Sequence, residues 1–207
     1  MINYFIKNFD MFGTATLEHL WIVAVTLAIS VLLSTVLSYA LLRVKYLEDA
    51  AIQLFSAIYS IPSLALFALM IPVMGLGNMT AVVVLTLYNQ FLLLRNILSG
   101  MNSVDKNLLE AATGMGMTNF QVVTRVQLPL AFPTIIAGIR LAIISTTGIA
   151  TIAACINAGG LGTVLFSGMR TMNVYKIVWG TILCAVIVLI EDLLLKMVER
   201  KLRRGAC

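Results

Sequence analysis

The sequence predicts an all-α membrane protein with about five transmembrane helices. Of its 207 residues, 60% are hydrophobic and only 11% are charged, whereas about 25% of the residues of a soluble domain carry a charge. The charges are also unevenly placed, because the segments 20–42, 50–94, 141–169 and 177–190 contain none. This composition excludes a soluble enzyme, a disordered chain and a disulfide scaffold.

The charge-free segments predict where the helices lie. A spanning helix needs about 20 mostly apolar residues. The segment 20–42 therefore holds one span, and the longest segment, 50–94, holds two. Those two spans are separated at Pro72–Asn78, where proline and glycine indicate a turn. Pro62 predicts a kink or break inside the earlier one. The five spans are predicted near residues 20–42, 51–71, 79–97, 133–155 and 176–196.

Basic residues are distributed unequally between the two sides of this arrangement. One side holds ten of them, and the other holds Lys7, Arg170 and Lys176. Basic residues concentrate in cytoplasmic loops, so we expect the first side to be cytoplasmic and the N-terminus to be outside. The ten are Arg43, Lys45, Arg95, Lys106, Arg125, Lys196, Arg200, Lys201, Arg203 and Arg204.

The whole chain, 1–207, is predicted to be one transmembrane domain. It would have an external segment at 1–19, a cytoplasmic loop at 98–132 and a cytoplasmic tail at 197–207. The last helix and the tail that continues it carry the acid-first pairs Asp192–Lys196 and Glu199–Arg203 at helical spacing. Arg140 falls within the fourth span, where we expect it to reach the inner membrane surface. The alternative is a pair with an acid on a neighbouring subunit or a gate contact.

The residue patterns of common catalytic sites are absent. The sequence contains no GxxxxGK[ST] phosphate loop, no HExxH motif and a single histidine, and its three cysteines have no metal-ligand spacing. We therefore predict no catalytic residue, no metal and no cofactor in this chain, and no nucleic-acid partner. Coupled carriers usually place an ionisable group in mid-membrane, and 50–94 and 141–169 have none, so uphill transport would need energy from another subunit.

The loop 98–132 is too long for a simple connection. Its first half predicts a short helix that Ser103 caps and that ends at Gly114 and Gly116. Its apolar face consists of Leu108, Leu109, Ala112 and Met115. The alternative is a hairpin lying on lipid, but the loop has only two basic residues to favour it.

A second short helix follows in the same loop. Thr118 and Gln121 have the spacing of a capping box. Leu128–Pro129 is predicted to stop this helix, and Pro133 to lie in the first turn of the next span. The sequence thus predicts a rigid knob of two capped helices on the cytoplasmic face.

These residues carry a resemblance to a known family. Glu110-Ala111-Ala112, followed by Gly116 and later by Val126-Gln127-Leu128-Pro129, resembles the EAA loop of binding-protein-dependent ABC transporter permeases. The sequences of four stretches are similar to those of the family branch that imports glycine betaine, carnitine and choline. They are residues 60–66, 110–117, 128–133 and 158–162, and the resemblance covers roughly residues 20–200.

The resemblance implies a type I importer fold and a set of partners. Two permeases, identical or paralogous, would form the pathway in the bacterial inner membrane, with an external solute-binding protein and surrounding lipid. A cytoplasmic ATPase would bind ATP and magnesium and hold the loop in a groove. The residues implied in this coupling are Leu109, Glu110, Ala111, Ala112, Met115, Gly116, Leu128 and Pro129.

Other residues have two interpretations each. Gly159, Gly160 and Gly162 form either a turn after the fourth span or an outer gate that contacts the binding protein. Tyr59 and Tyr88, with Pro62 nearby, either pack the helices or offer aromatic faces to a quaternary amine in the pathway. Two rival functions stay open, namely an ATP-independent carrier or channel subunit and a non-transporting subunit of a membrane complex.

Overall fold

The computed structural model describes residues 1–42 and 44–205, and it is helical with no β-strand among those residues. Arg43, residues 206–207 and the side chains of Lys45 and of residues 201–205 lie outside the described set, and with them the predicted Glu199–Arg203 pair. The helices are α1 Ile2–Lys7, α2 Phe9–Leu41, α3 Lys45–Ser60, α4 Ser63–Met74, α5 Asn78–Asn102, α6 Lys106–Gly114, α7 Asn119–Val122, α8 Leu128–Ile152, α9 Leu161–Arg170 and α10 Val174–Gly205.

Two irregular turns adjoin α8. A π-helical turn, Val123–Gln127, joins α7 to α8, and a 3-10 turn, Ala153–Ile156, follows it. Together these elements make one continuous helix over Asn119–Ile156.

The number of spans agrees with the prediction. Within the described residues, four helices are long and apolar enough to cross a membrane: α2, α5, the continuous helix ending at Ile156, and α10. A bent pair, Tyr46–Ser60 and Ser63–Met74 with an angle of 97° between its halves, is apolar enough to be a fifth candidate, as a broken span or a re-entrant loop. The break falls at Ile61-Pro62, where Ile61 is extended as expected before a proline. The all-α class and the break at Pro62 are therefore confirmed.

The first span begins earlier than the sequence predicted. α2 starts at Phe9 rather than near residue 20, so residues 9–19 belong to the same helix as the predicted first span. The reason is tertiary, because Phe12, Ala15 and His19 on this extension are buried against the rest of the bundle. The external position of residues 1–19 stays a prediction. The predicted turn at Pro72–Asn78 is likewise shorter, since α4 includes Pro72 and ends at Met74.

The helix α5 is the centre of the bundle and packs against α2, α3, α4 and α8. It approaches α8 closely at Gly138, where a Cβ atom would lie 2.4 Å from the Cβ of Asn96. A polar seam crosses the same interface. The Asn89 side chain donates to Ser30 Oγ at 3.2 Å and accepts from Thr146 Oγ1 at 3.0 Å. Small residues and side-chain hydrogen bonds are what hold membrane helices together in the absence of water.

Arg140 is paired inside its own chain, an arrangement that the sequence analysis did not predict. Its Nε lies 2.7 Å from Asp192 Oδ1, and its Nη1 lies 3.3 Å from Glu199 Oε2. Asp192 also pairs with Lys196, one turn further along α10, as the spacing predicted. Packing of α8 against α10 brings these acids within reach of the guanidinium.

Candidate functional site

The hairpin of α6 and α7 contains the residues of the EAA motif. α6 begins at Lys106 and its cap is Asp105, whose Oδ1 accepts from the Asn107 N–H at 2.9 Å. The prediction that Ser103 caps this helix is wrong. Ser103 instead ends α5, where its hydroxyl donates to the Gly100 carbonyl at 2.8 Å. Both residues are capping types, and Asp105 is the one that lies next to the first turn.

Gly116 closes α6 in the left-handed conformation, with φ of +85°. The Met117 N–H donates to the Ala112 carbonyl and the Gly116 N–H to the Thr113 carbonyl, at 3.2 and 2.9 Å. This pair of bonds is a Schellman motif, which favours glycine at the left-handed position. A Cβ at Gly116 would meet no atom within 4 Å, so backbone conformation alone accounts for the glycine in this chain.

The outer surface of the hairpin is unusually apolar. Met115 is 74% exposed, Phe120 63% and Leu108 50%. Glu110 and Ala111 are also exposed, Leu109 is partly exposed, and Ala112 is buried against the hairpin itself. The motif thus presents its first two residues outward and uses the third for packing. Several large apolar side chains exposed on one short hairpin are typical of a protein-binding surface.

α7 begins with the predicted capping box. The Thr118 hydroxyl accepts from the Gln121 N–H, and the Gln121 side chain accepts from the Thr118 N–H. The Gln127 side chain donates to the Met101 carbonyl at 2.9 Å, which ties the following turn to the end of α5.

Leu128–Pro129 does not stop the second helix, contrary to the prediction. The chain instead widens into the π-helical turn, in which the Leu128 N–H bonds to the Val123 carbonyl five residues back. Pro129 lacks an N–H and its ring clashes with the carbonyl four residues before it in a regular helix. The wider turn accommodates that proline, so the helix continues into α8 and includes Pro133 in its interior. The hairpin is therefore joined to the fourth span by one unbroken helix.

The three glycines after the fourth span lie in a tight turn against α2. Gly159 and Gly160 have φ of +82° and +76°. The Gly160 N–H donates to Glu18 Oε2 at 2.9 Å, and a Cβ there would lie 3.0 Å from His19 Nδ1. Sequence analysis missed Glu18 and His19, since no local pattern connects residues 142 positions apart.

Gly162 is the second residue of the helix α9, which the sequence did not predict. A Cβ atom at this position would lie 1.9 Å from the Thr151 carbonyl oxygen. Gly160 and Gly162 are both buried. The turn interpretation matches this geometry. The gate stays a prediction, and opening it would require separating the turn from α2.

The aromatic residues near Pro62 pack together. The Tyr88 hydroxyl donates to the Ile61 carbonyl, which the break in the helix leaves without its usual partner. Tyr88 is only 3% exposed, and its ring contacts that of Tyr59 edge to face at 5.6 Å. Tyr59 is partly exposed and also packs on Phe91, with 5.1 Å between the ring centroids. Tyr59 is thus more accessible to a solute in the pathway than Tyr88 is.

Two solved structures share this fold. An inward-facing MetNI methionine ABC transporter superposes with a TM-score of 0.82 over 92% of this chain and 95% of that one, at 22% identity. An amino acid ABC transporter with histidines gives a TM-score of 0.80 over 96% and 97% of the two chains, at 20% identity. The chain therefore has the type I ABC importer permease fold.

The chain belongs to the family of binding-protein-dependent transport system inner membrane components, which it matches over residues 30–204. It is thus a multi-pass inner-membrane protein, and its class implies an ATPase, a substrate-binding protein and a second permease as partners.

Three relatives are similar along most of their length. The glycine betaine/carnitine/choline transport system permease protein OpuCB of Bacillus subtilis is 37% identical, over 89% of this chain and 85% of its own. The osmoprotectant import permease protein OsmW of Salmonella typhimurium is 32% identical, over 96% and 94%. The carnitine transport permease protein OpuCB of Listeria monocytogenes is 35% identical, over 98% and 93%.

Proposed function

We propose that this chain is the permease subunit of an ATP-driven importer of osmoprotectants such as glycine betaine, carnitine and choline. The observation that carries the proposal is the capped hairpin with its exposed apolar surface, joined without a break to the fourth span. The relatives' names supply the solute class. The chain hydrolyses nothing in this proposal, and ATP and magnesium are bound by the partner ATPase.

The geometry of the hairpin suits it to transmit movement. Both of its helices have side-chain caps, and a Schellman motif joins them, so the loop is rigid. The continuous helix from α7 to α8 connects it directly to the membrane. A displacement of the hairpin by the ATPase would move α8, and with it the outer turn that follows. Residues 98–132 are the coupling loop in this proposal, and Glu110 and Ala111 lie at its surface.

The docking surface can be tested with one substitution. Met115→Glu would place a carboxylate against an apolar groove of the ATPase, which is costly unless the charge finds a partner. We expect co-purification of the ATPase with the permease to fall strongly while membrane abundance stays normal. Met172→Glu is the matched control, because Met172 is 86% exposed in the connection between α9 and α10. Full co-purification of the Met115→Glu variant would place the docking surface elsewhere.

The same purification separates this proposal from its rivals. A channel or carrier that works without ATP has no reason to retain an ATPase, and an assembly subunit gives no solute flux. Vesicles that hold the permease with its ATPase and binding protein should accumulate glycine betaine only when ATP is inside. Uptake without ATP, or none at all, would contradict the proposal.

The orientation of the chain is also part of this proposal, with the N-terminus outside and the tail 197–207 in the cytoplasm. A variant whose only cysteine is Cys207 should react with an impermeant maleimide only after the cells are permeabilised. A second variant carrying Met172→Cys as its only cysteine should react in intact cells. The reverse labelling pattern would invert the topology.

A further inference from the structure

A groove of about 430 Å³ lies between α3 and α5. Its lining includes Gln53, Ser56 and Ser60 of α3 together with Phe91 and Arg95 of α5. Arg95 lies about two turns before the end of α5, so the groove runs from the middle of the bundle toward the end that carries the hairpin.

One wall of the groove is a polar strip on a membrane helix. Gln53, Ser56 and Ser60 recur at helical spacing, and Gln53 and Ser60 are exposed. Leu47 and Leu54, also exposed, lie about 100° around the helix and supply a separate apolar face. Polar side chains are costly against lipid, so they usually face water or protein. The strip therefore indicates a wall that faces water or the second permease rather than lipid.

The opposite wall combines a cation with an aromatic ring. The Arg95 guanidinium carbon lies 5.8 Å from the Phe91 ring centroid. Tyr59 of α3, outside the groove lining, packs on the same ring and fixes its position. Arg95 is exposed, and within the described residues no carboxylate lies within 4 Å of it. No acidic residue contributes to the lining of the groove. The groove thus has a positive charge at one end and an aromatic ring beside that charge.

We propose that this groove is a solute subsite of the pathway that selects zwitterions. The carboxylate of the solute pairs with Arg95, and its quaternary ammonium group contacts the Phe91 ring. This inference rests on the proposed function and names the solute class that the permease itself favours. A guanidinium binds carboxylates with charge-assisted hydrogen bonds and repels a solute that carries only a positive charge. Aromatic faces attract quaternary ammonium groups.

Glycine betaine and choline distinguish the carboxylate contact from the ammonium contact, because both solutes have a quaternary ammonium group and only glycine betaine has a carboxylate. Uptake of each labelled solute is measured in cells that express the complete transporter and lack other uptake systems for them. In Arg95→Gln we expect uptake of glycine betaine at low concentration to fall about tenfold. Choline uptake should not fall. Arg95→Lys should recover part of the glycine betaine uptake, since it keeps the charge.

The matched control is Arg200→Gln, which removes one exposed arginine near the end of α10. It should leave the uptake of both solutes unchanged. Equal loss of both solutes in Arg95→Gln, or loss of neither, would overturn the subsite and leave Arg95 as a membrane-surface anchor. Wild-type cells that import no quaternary amine would instead refute the proposed function. The two failures are therefore distinguishable in the same experiment.

Discussion

Arg140 on α8 and Asp192 on α10 form an ion pair in which Nε and Oδ1 are 2.7 Å apart. The pair lies 52 positions apart in sequence and is partly shielded, with side chains 29% and 18% exposed. Glu199 and Lys196 extend it into a network of two acids and two bases. The network fastens the last helix to the one that continues into the hairpin, so it holds α10 on the moving part of the proposed mechanism.

We expect Arg140→Gln to lower the thermal unfolding temperature of the purified permease in detergent. The substitution leaves two partly shielded carboxylates close together without their central cation. Asp192→Asn should also destabilise the protein, and the double variant should lose less than the sum of the two single losses. Lys196→Gln is the control at the exposed edge and should have the smaller effect. Additive losses would show that the two residues do not interact.

Tyr88→Phe is expected to destabilise the break between α3 and α4. The change removes the hydroxyl that donates to the Ile61 carbonyl, and the loss of one such part-buried hydrogen bond costs about 0.5–1.5 kcal/mol. Tyr59→Phe is the matched control, because the Tyr59 hydroxyl has no hydrogen-bond partner in the part of the chain that the structure describes. Unfolding in detergent should separate the two variants, and equal stability would contradict the role assigned to Tyr88.

Gly116→Val tests the junction of the hairpin. The left-handed conformation costs an L-residue about 1–2 kcal/mol, and a β-branched residue is poorly tolerated there. We expect normal membrane abundance but a sharp fall in ATP-driven uptake, since the two helices can no longer keep their relative orientation. Gly116→Asn should be milder. Gly114→Ala is the control, because Gly114 is helical and a Cβ there meets no atom within 4 Å. Normal uptake by Gly116→Val at normal abundance would refute the coupling role.

Gly162→Ala tests whether the outer turn is closely packed. An added Cβ would lie 1.9 Å from the Thr151 carbonyl oxygen and 2.8 Å from the Ala154 Cβ. Overpacking of this kind costs about 1–3 kcal/mol, so the unfolding temperature should fall by about 5–10 °C. In Gly148→Ala, a substitution in α8, the added Cβ would meet no atom within 4 Å. This variant should have an unchanged unfolding temperature. Equal unfolding temperatures in the two variants would mean that the turn is loose enough to yield.

Much of the coupling hairpin was predictable because its signals are local. A capping box needs only Thr118 and Gln121, three positions apart, and both of its hydrogen bonds are present. The left-handed conformation of Gly116 also has a local cause, because glycine commonly occupies the position just after the end of a helix. The start of α6 was predicted at the wrong capping residue, since Ser103 and Asp105 compete within two positions and only the course of α5 decides between them.

The sequence by itself determined the membrane class, about five spans, the break at Pro62 and the two capped helices, because these depend on hydrophobic length, proline and hydrogen bonds within a few residues. Only the tertiary structure decided that α2 begins at Phe9, that the helix continues through Pro129, and that Arg140 meets Asp192. Each of these depends on which helices pack together. A buried face extends a helix beyond its apolar segment, and packing brings together side chains that no local spacing relates.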